Sequence, residues 1–454
     1  MIVFLETLGC SRNQVDSEIM LGKLVAAGHS VTDDPSCARV IIVNTCGFIS
    51  TASDEAVEVL LEMAEFKETG KCERLIATGC LAQRYKDDEN LVSTLPEVDA
   101  FLGTAACDRI VDAVENKDTA TLTLFPDPDT RPFQDIAEHR ELSLDHYAYI
   151  KVSEGCNRKC TYCIIPQLRG TQRSRPVEDI CKEAQSLVSR GVKEIILTAE
   201  NTTDYGRDLS DETGFEQVLT SLADTLAREQ GKEQAKSPAT APAWIRFLYT
   251  HPTTLTEPVI QAVAQHENIC SYYDVPIQHA ASNILKKMGR PYTREDLYAL
   301  FKTIRKIDPA AALRTTLIVG FPGETQEDFE TLMTFIKDIR FDHLGVFTYS
   351  DSDDLKSHLL KDHVPSEIAE ERHDRLMAAQ AKISETVNER HVDKIFDVLV
   401  EENPEQGVYI GRTRFQAPEV DGMTFIYADR LEIGTFVKVR ITDAFEYDIA
   451  GEIA

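Results

Sequence analysis

Positive charge is scarce in this sequence: 48 Lys and Arg face 76 Asp and Glu among 454 residues, a formal net charge of -28. Such a field repels a phosphate backbone, so no strong direct binding to nucleic acid is expected, and the expected kind of partner is a basic protein. Long apolar runs are missing too. No stretch approaches the roughly 18 residues of a membrane span, and the N-terminus enters a strand pattern rather than a leader. A soluble, cytoplasmic protein with no membrane association is expected. In that compartment thiols stay reduced, so the eleven cysteines suit metal binding better than cross-linking. With 43% hydrophobic and 27% charged residues the chain is globular, and its length suggests about three domains.

Three cysteines fall close together in SEGCNRKCTYCIIPQLRGTQRSR, residues 153–175, as Cys156, Cys160 and Cys163. Thiolates at C-x3-C-x2-C spacing can wrap three corners of an iron–sulfur cube and leave its fourth iron open. An open coordination position is where a metal does chemistry. A structural zinc site would want a fourth Cys or His at short spacing, and none follows Cys163 before Cys181.

The first segment, to about Pro132, repeats one unit: a short apolar run, a polar or glycine turn, then cysteine. IVFLETLG precedes Cys10, VIIVNT precedes Cys46 and RLIATG precedes Cys80, at separations of 36 and 34 residues. That period suits βαβ units in a doubly wound parallel sheet. Parallel strands end on one rim, so the three thiols are expected to converge there on a second cluster with its own open iron. The alternative is that each is a small residue in a tight turn. Cys37, Cys72 and Cys107 lack the strand-end placement.

After a polar stretch at 131–145 that reads as a linker, six β runs alternate with helical stretches: AYIKV, EIILT, WIRFLYT, YYDVPI, RTTLIVG and LGVFTYS. They predict a (β/α)6 partial barrel, with the cluster loop after its first strand on the C-terminal rim. Residues 228–243 are polar and read as a solvated insertion. Rim candidates follow the strands in turn: Thr198, Glu200 and Asn201; Tyr249, His251 and Pro252; Gln278, His279 and Ser282; then Arg314 and the GFPGET run with Gly320, Pro322, Gly323 and Glu324. A guanidinium can pair with a carboxylate, and glycine admits a close ligand. A helix over 365–391, with Ile368, Leu376, Ala379, Ile383 and Val387 on one face, reads as a packing seam. The tail, about 392–454, has short β runs split by glycine turns and predicts a small antiparallel barrel of the oligonucleotide-binding type. Residues 384–454 hold 15 Asp and Glu against 7 Lys and Arg, net -8.

The cysteine clip, with Tyr162 just before its last member, resembles the signature of radical S-adenosylmethionine (SAM) enzymes. The tail resembles a TRAM domain. Together with the N-terminal trio, the whole chain resembles the methylthiotransferases, and CIIPQLRG, TTDYG, DVPIQHA and QAPEVDG resemble the branch acting on ribosomal protein uS12. One departure is Glu200-Asn201, where that branch usually shows Gln-Asp. The resemblance implies three domains: 1–132 with the auxiliary cluster, 142–375 as radical SAM core and 384–454 as TRAM domain. It implies two [4Fe-4S] clusters, on Cys156, Cys160 and Cys163 and on Cys10, Cys46 and Cys80, as catalytic and metal-binding residues. Two SAM molecules per turnover are implied, contacted by Tyr162, Glu200, Asn201, Gln278, His279, Arg314, Gly320 and Glu324. The implied reaction inserts sulfur and then methyl at the β-carbon of an aspartate of uS12, free or in the small subunit, with a low-potential donor such as flavodoxin or ferredoxin. The alternative within the resemblance is methylthiolation of a transfer-RNA adenosine.

Overall fold

The computed structural model describes every residue except 117, 119, 132–139, 144–145, 211–212 and 235–242, and omits the side chains of 229–234. The expected linker at 131–145 and insertion at 228–243 therefore lie largely outside the described residues.

The N-terminal sheet contains β1 (Ile2–Thr7), β2 (Ser30–Val31), β3 (Val40–Thr45), β4 (Arg74–Gly79), β5 (Ala100–Leu102) and β6 (Leu122–Leu124). They lie in the order β2-β1-β3-β4-β5-β6, each pair parallel. Successive side chains of a strand point to opposite faces, so a near-continuous apolar run means both faces are covered. β3 shows this: Ile41 and Val43 pack with Leu75 on one face, Val40 and Ile42 with Ile76 on the other. β1, β3 and β4 are adjacent, so the strand ends before Cys10, Cys46 and Cys80 share one rim.

The central strands are β7 (Tyr147–Lys151), β8 (Ser153–Glu154), β9 (Arg173–Ser174), β10 (Glu194–Thr198), β11 (Trp244–Phe247), β12 (Tyr272–Asp274), β13 (Ala312–Val319) and β14 (His343–Thr348). β11-β10-β7 and β12-β13-β14 are parallel sheets bridged at Ile245 and Ile269, so the six expected runs form an open α/β barrel. β8 and β9 form a small antiparallel pair flanking the cysteine loop. On the helix side Ile150, Ile195, Leu197 and Phe247 join the main core. On the inner face Tyr147, Tyr149, Ile196, Trp244 and Tyr272 pack against Val15 and Ile19 of the N-terminal helix Ser11–Ala26 and against Ala417 of the tail.

The tail is a closed barrel of β15 (Ile395–Glu405), β16 (Val408–Arg412), β17 (Thr424–Tyr427), β18 (Phe436–Ala444) and β19 (Ile449–Ile453), in the order β15-β16-β17-β19-β18. Its QAPEVDG segment, residues 416–422, enters the central barrel. There Tyr147 Oη donates to Glu419 at 2.7 Å and Tyr272 Oη to Asp421 at 2.6 Å. The helix before the tail, Ser366–Asn388, buries Ala369, Arg372, Leu376, Gln380, Ser384 and Val387. The seam thus begins at Ala369, and Ile368 is 40% exposed, correcting the expected register at that position.

Candidate active site

The helix Ser11–Ala26 starts directly after Cys10 and places its first turn on the rim of the central barrel. Ser11 Oγ meets Thr198 Oγ1 at 3.1 Å, and Arg12 donates to the Ala199 carbonyl at 3.1 Å. Arg12 also pairs with Glu200 at 3.1 Å and lies 4.8 Å above the Tyr249 ring. Tyr249 holds a left-handed backbone, φ +60°, which orients its amide toward Asp274 Oδ2 at 2.8 Å. The charge of Glu200 reaches Cys156 and Cys163, and that of Arg12 reaches Cys10. The Arg12–Glu200 pair therefore lies between the two trios.

Cys156, Cys160 and Cys163 occupy a loop held from several sides. Cys156 N donates to the Gly170 carbonyl at 3.1 Å, Arg158 N to Cys156 Sγ at 3.4 Å, and Thr161 N to the Met288 carbonyl at 3.0 Å. Arg158 forks onto Asp204 at 2.7 and 2.6 Å. Tyr162 is half-buried, with its hydroxyl accepting two hydrogen bonds from Arg290, and it packs edge-on to Phe321. The segment after β14 covers the loop's outer side: Ser357 N donates to the Thr161 carbonyl, and Leu355 is buried with Cys80, Ile164 and Leu168. Arg84 ties this segment to the N-terminal sheet through Asp354 at 2.8 Å.

Cys10, Cys46 and Cys80 follow the ends of three adjacent strands on their shared rim. A Cβ on Gly9, which sits at φ +92°, would lie 2.8 Å from Cys46 Cβ and 3.1 Å from its Sγ. Burial pushes the Cys80 thiol up to about 12 against the opposing pull of Arg169, and pushes Cys46 up as well. On the other trio burial pushes Cys156 to about 11 and Cys163 to about 12. Thiols desolvated in this way become thiolates readily only when a cation or metal supplies the compensating charge. Among the described residues no three His, Cys, Asp or Glu side chains close on a single point as one bound ion requires. A cube presents a different iron to each thiolate, so its ligands stand apart, and two sets of three soft sulfurs, Cys80 buried and the other five half-buried, suit that group.

The other expected contacts divide. Asn201 stays on the rim, its amide on Asp204 at 2.7 Å. Gln278 is held there at φ +68° by backbone bonds to Thr316 and Ile318. Arg314 does not serve the rim: it lies in the first half of β13 and spends its guanidinium on Asp274 at 3.0 Å and Asp421 at 3.3 Å. Gly320 is needed for packing, because a Cβ there would collide with Ala369. His279 and Glu324, both fully buried, face each other at 3.6 Å, and Glu324 accepts the Gly320 and Phe321 amides. They shape the GFPGET turn. Arg12, Asn13, Arg158, Arg169 and Arg290 were not singled out by the sequence reading, although Arg12, Asn13 and Arg158 lie within three positions of a cluster cysteine.

Family models match residues 2–103 (Uncharacterized protein family UPF0004), 150–336 (Radical SAM superfamily) and 392–454 (TRAM domain). The chain is 48% identical, over the full length of both, to the ribosomal protein uS12 methylthiotransferase RimO of Desulfosudis oleivorans. It is 44% identical to that of Clostridioides difficile, covering 99% of this chain and 98% of the relative. Among solved structures, the radical SAM methyltransferase TsrM of Kitasatospora setae superposes with a TM-score of 0.54 at 12% identity, covering 84% of this chain and 89% of that one. The cobalamin-dependent radical enzyme OxsB gives 0.52 at 12% identity, covering 84% and 56%. These two show a shared fold. Among the described residues no helix is long and apolar enough to cross a membrane.

Proposed function

The chain belongs to the ribosomal protein uS12 methylthiotransferase RimO family, and we propose that its two cysteine trios carry that reaction together on one rim. Cys156, Cys160 and Cys163 hold one [4Fe-4S] cluster, and Cys10, Cys46 and Cys80 hold a second. The domains are 1–132, 142–375 and 384–454. The substrate is an aspartate of uS12, free or in the small subunit, converted to 3-methylthioaspartate in the cytoplasm, with flavodoxin or ferredoxin as electron donor. When bound, the clusters and two SAM molecules per turnover supply one-electron chemistry at an unactivated C–H bond and the methyl group.

What the chain itself contributes is position and dryness. Tyr162, pinned by Arg290, fixes the cysteine loop against the turn after β13. Leu355, Ile164 and Leu168 keep water from Cys80. Asn201, Gln278 and Tyr162 face the rim as SAM contacts, while Glu200, neutralised by Arg12, sets the charge between the two sites. The observation that carries this reading is that ion pair, because it joins the first turn after Cys10 to the strand end beside the other trio.

Mass spectrometry of uS12 and of transfer-RNA nucleosides, from cells with and without the gene, tests it. A gene-dependent methylthio gain on the uS12 aspartate is expected, and Ala at any one of the six cysteines should abolish it. A gain on adenosine would overturn the substrate assignment. A Cys10, Cys46 and Cys80 triple Ala variant that still methylthiolates would overturn the two-cluster account.

A further inference from the structure

Arg169 ends the helix Ile165–Arg169, which follows the Cys156–Cys163 loop, yet its guanidinium finishes on the other trio. One terminal nitrogen lies 3.7 Å from Cys80 Sγ and 2.6 Å from Asn13 Oδ1. The other meets Asp16 at 2.7 Å and Glu154 at 3.0 Å. The side chain is 2% exposed. Asn13 is fixed in its turn, donating to the carbonyls of Leu8 at 2.9 Å and Thr45 at 3.0 Å, just before Cys10 and Cys46 in the chain. The guanidinium therefore cannot leave the sulfur without breaking a buried network. Cys46, by contrast, is met by the backbone N–H groups of Phe48 and Gly47.

The potential of an iron–sulfur cluster follows its surrounding charge, the hydrogen bonds to its sulfurs and its exposure to solvent. Reduction adds negative charge. A dry cation whose N–H points at a ligand sulfur favours the reduced state, and at this short range little intervenes to screen it. Resting on the reading that Cys10, Cys46 and Cys80 hold a cluster, we propose that Arg169 is a positioning residue that raises that auxiliary cluster's reduction potential through Cys80, while tying it to the loop of the other cluster.

The test is a redox titration followed by electron paramagnetic resonance in the Cys156→Ala, Cys160→Ala, Cys163→Ala background, where only the auxiliary signal remains. Iron and sulfide analysis of that background comes first: no cluster there overturns the trio reading and the inference with it. With the cluster present, Arg169→Gln should lower the reduction equilibrium about tenfold, equivalent to 59 mV for one electron. Arg169→Lys keeps a charge against Asp16 and Glu154 but loses the fork, so a smaller fall in the same direction is expected, and it serves where the Gln variant does not fold. An unchanged potential in a folded variant with full iron overturns the inference alone, because a purely structural role predicts no shift once the cluster is fully loaded.

Discussion

At residue 9 there is room for a hydrogen and no more. Gly9 adopts φ +92°, and its absent Cβ would press on Cys46. Gly9→Ala therefore meets two penalties, a left-handed backbone worth about 1–2 kcal/mol and displacement of one sulfur of the auxiliary trio. The expected outcome is loss of iron and sulfide from that site, with the signal of the Cys156, Cys160 and Cys163 cluster retained; a fully loaded Ala variant would refute the tight approach. The strand-end placement of Cys10, Cys46 and Cys80 and the short spacing of Cys156, Cys160 and Cys163 are one-dimensional patterns and therefore legible in the sequence. The role of Arg169 is not, since its partner Cys80 is 89 positions away and only the packed helix brings them together. Arg314 was misplaced for a related reason: a run of β residues does not say which side chains lie at the rim end and which are claimed by another domain.

At the scale of elements, the loop between β16 and β17 is the part of the tail that the sequence described least. QAPEVDG served there as a family mark, whereas its physical work is to seat Asp421 against Tyr272 and Arg314 inside the barrel. The six barrel strands were legible from their apolar runs, but β19 was not, because IAGEI is short and interrupted by glycine and glutamate. β2, β5 and β6 are shorter still, each of two or three residues. Asp421→Ala leaves the Arg314 charge with one fewer buried partner and the Tyr272 hydroxyl with none from that carboxylate. Breaking a buried pair from one side costs about 3–5 kcal/mol. The expected result is a lower urea midpoint together with protease cleavage near the start of β15, as the tail comes loose. Wild-type resistance in the variant would mean that the apolar contacts of Ala417 and Leu399 suffice to seat the tail.

The whole molecule carries two populations of charge that respond differently to salt. Where the N-terminal sheet meets the central barrel the ions are buried: Asp16 with Lys151 at 2.7 Å and Arg131 at 3.0 Å, and Arg140 between Glu18 and Glu183. Cations beside Asp16 more than offset its burial and hold its carboxyl well below the usual range, as tight pairing requires. On the tail the acids are exposed, Glu402, Glu405, Asp429, Glu432, Glu446 and Glu452 among them. The screening length is about 30 Å at 0.01 M salt and about 3 Å at 1 M, so the exposed field fades across that range while the buried pairs persist. Stopped-flow association of the protein with basic uS12 should slow about tenfold or more between those limits, with little change in the dissociation rate, since long-range complementarity sets encounter. Over the same range the thermal midpoint of the protein alone should move little. An association rate indifferent to salt would mean that the net charge of -28 has no part in finding the partner, and that recognition rests on contacts at the rim.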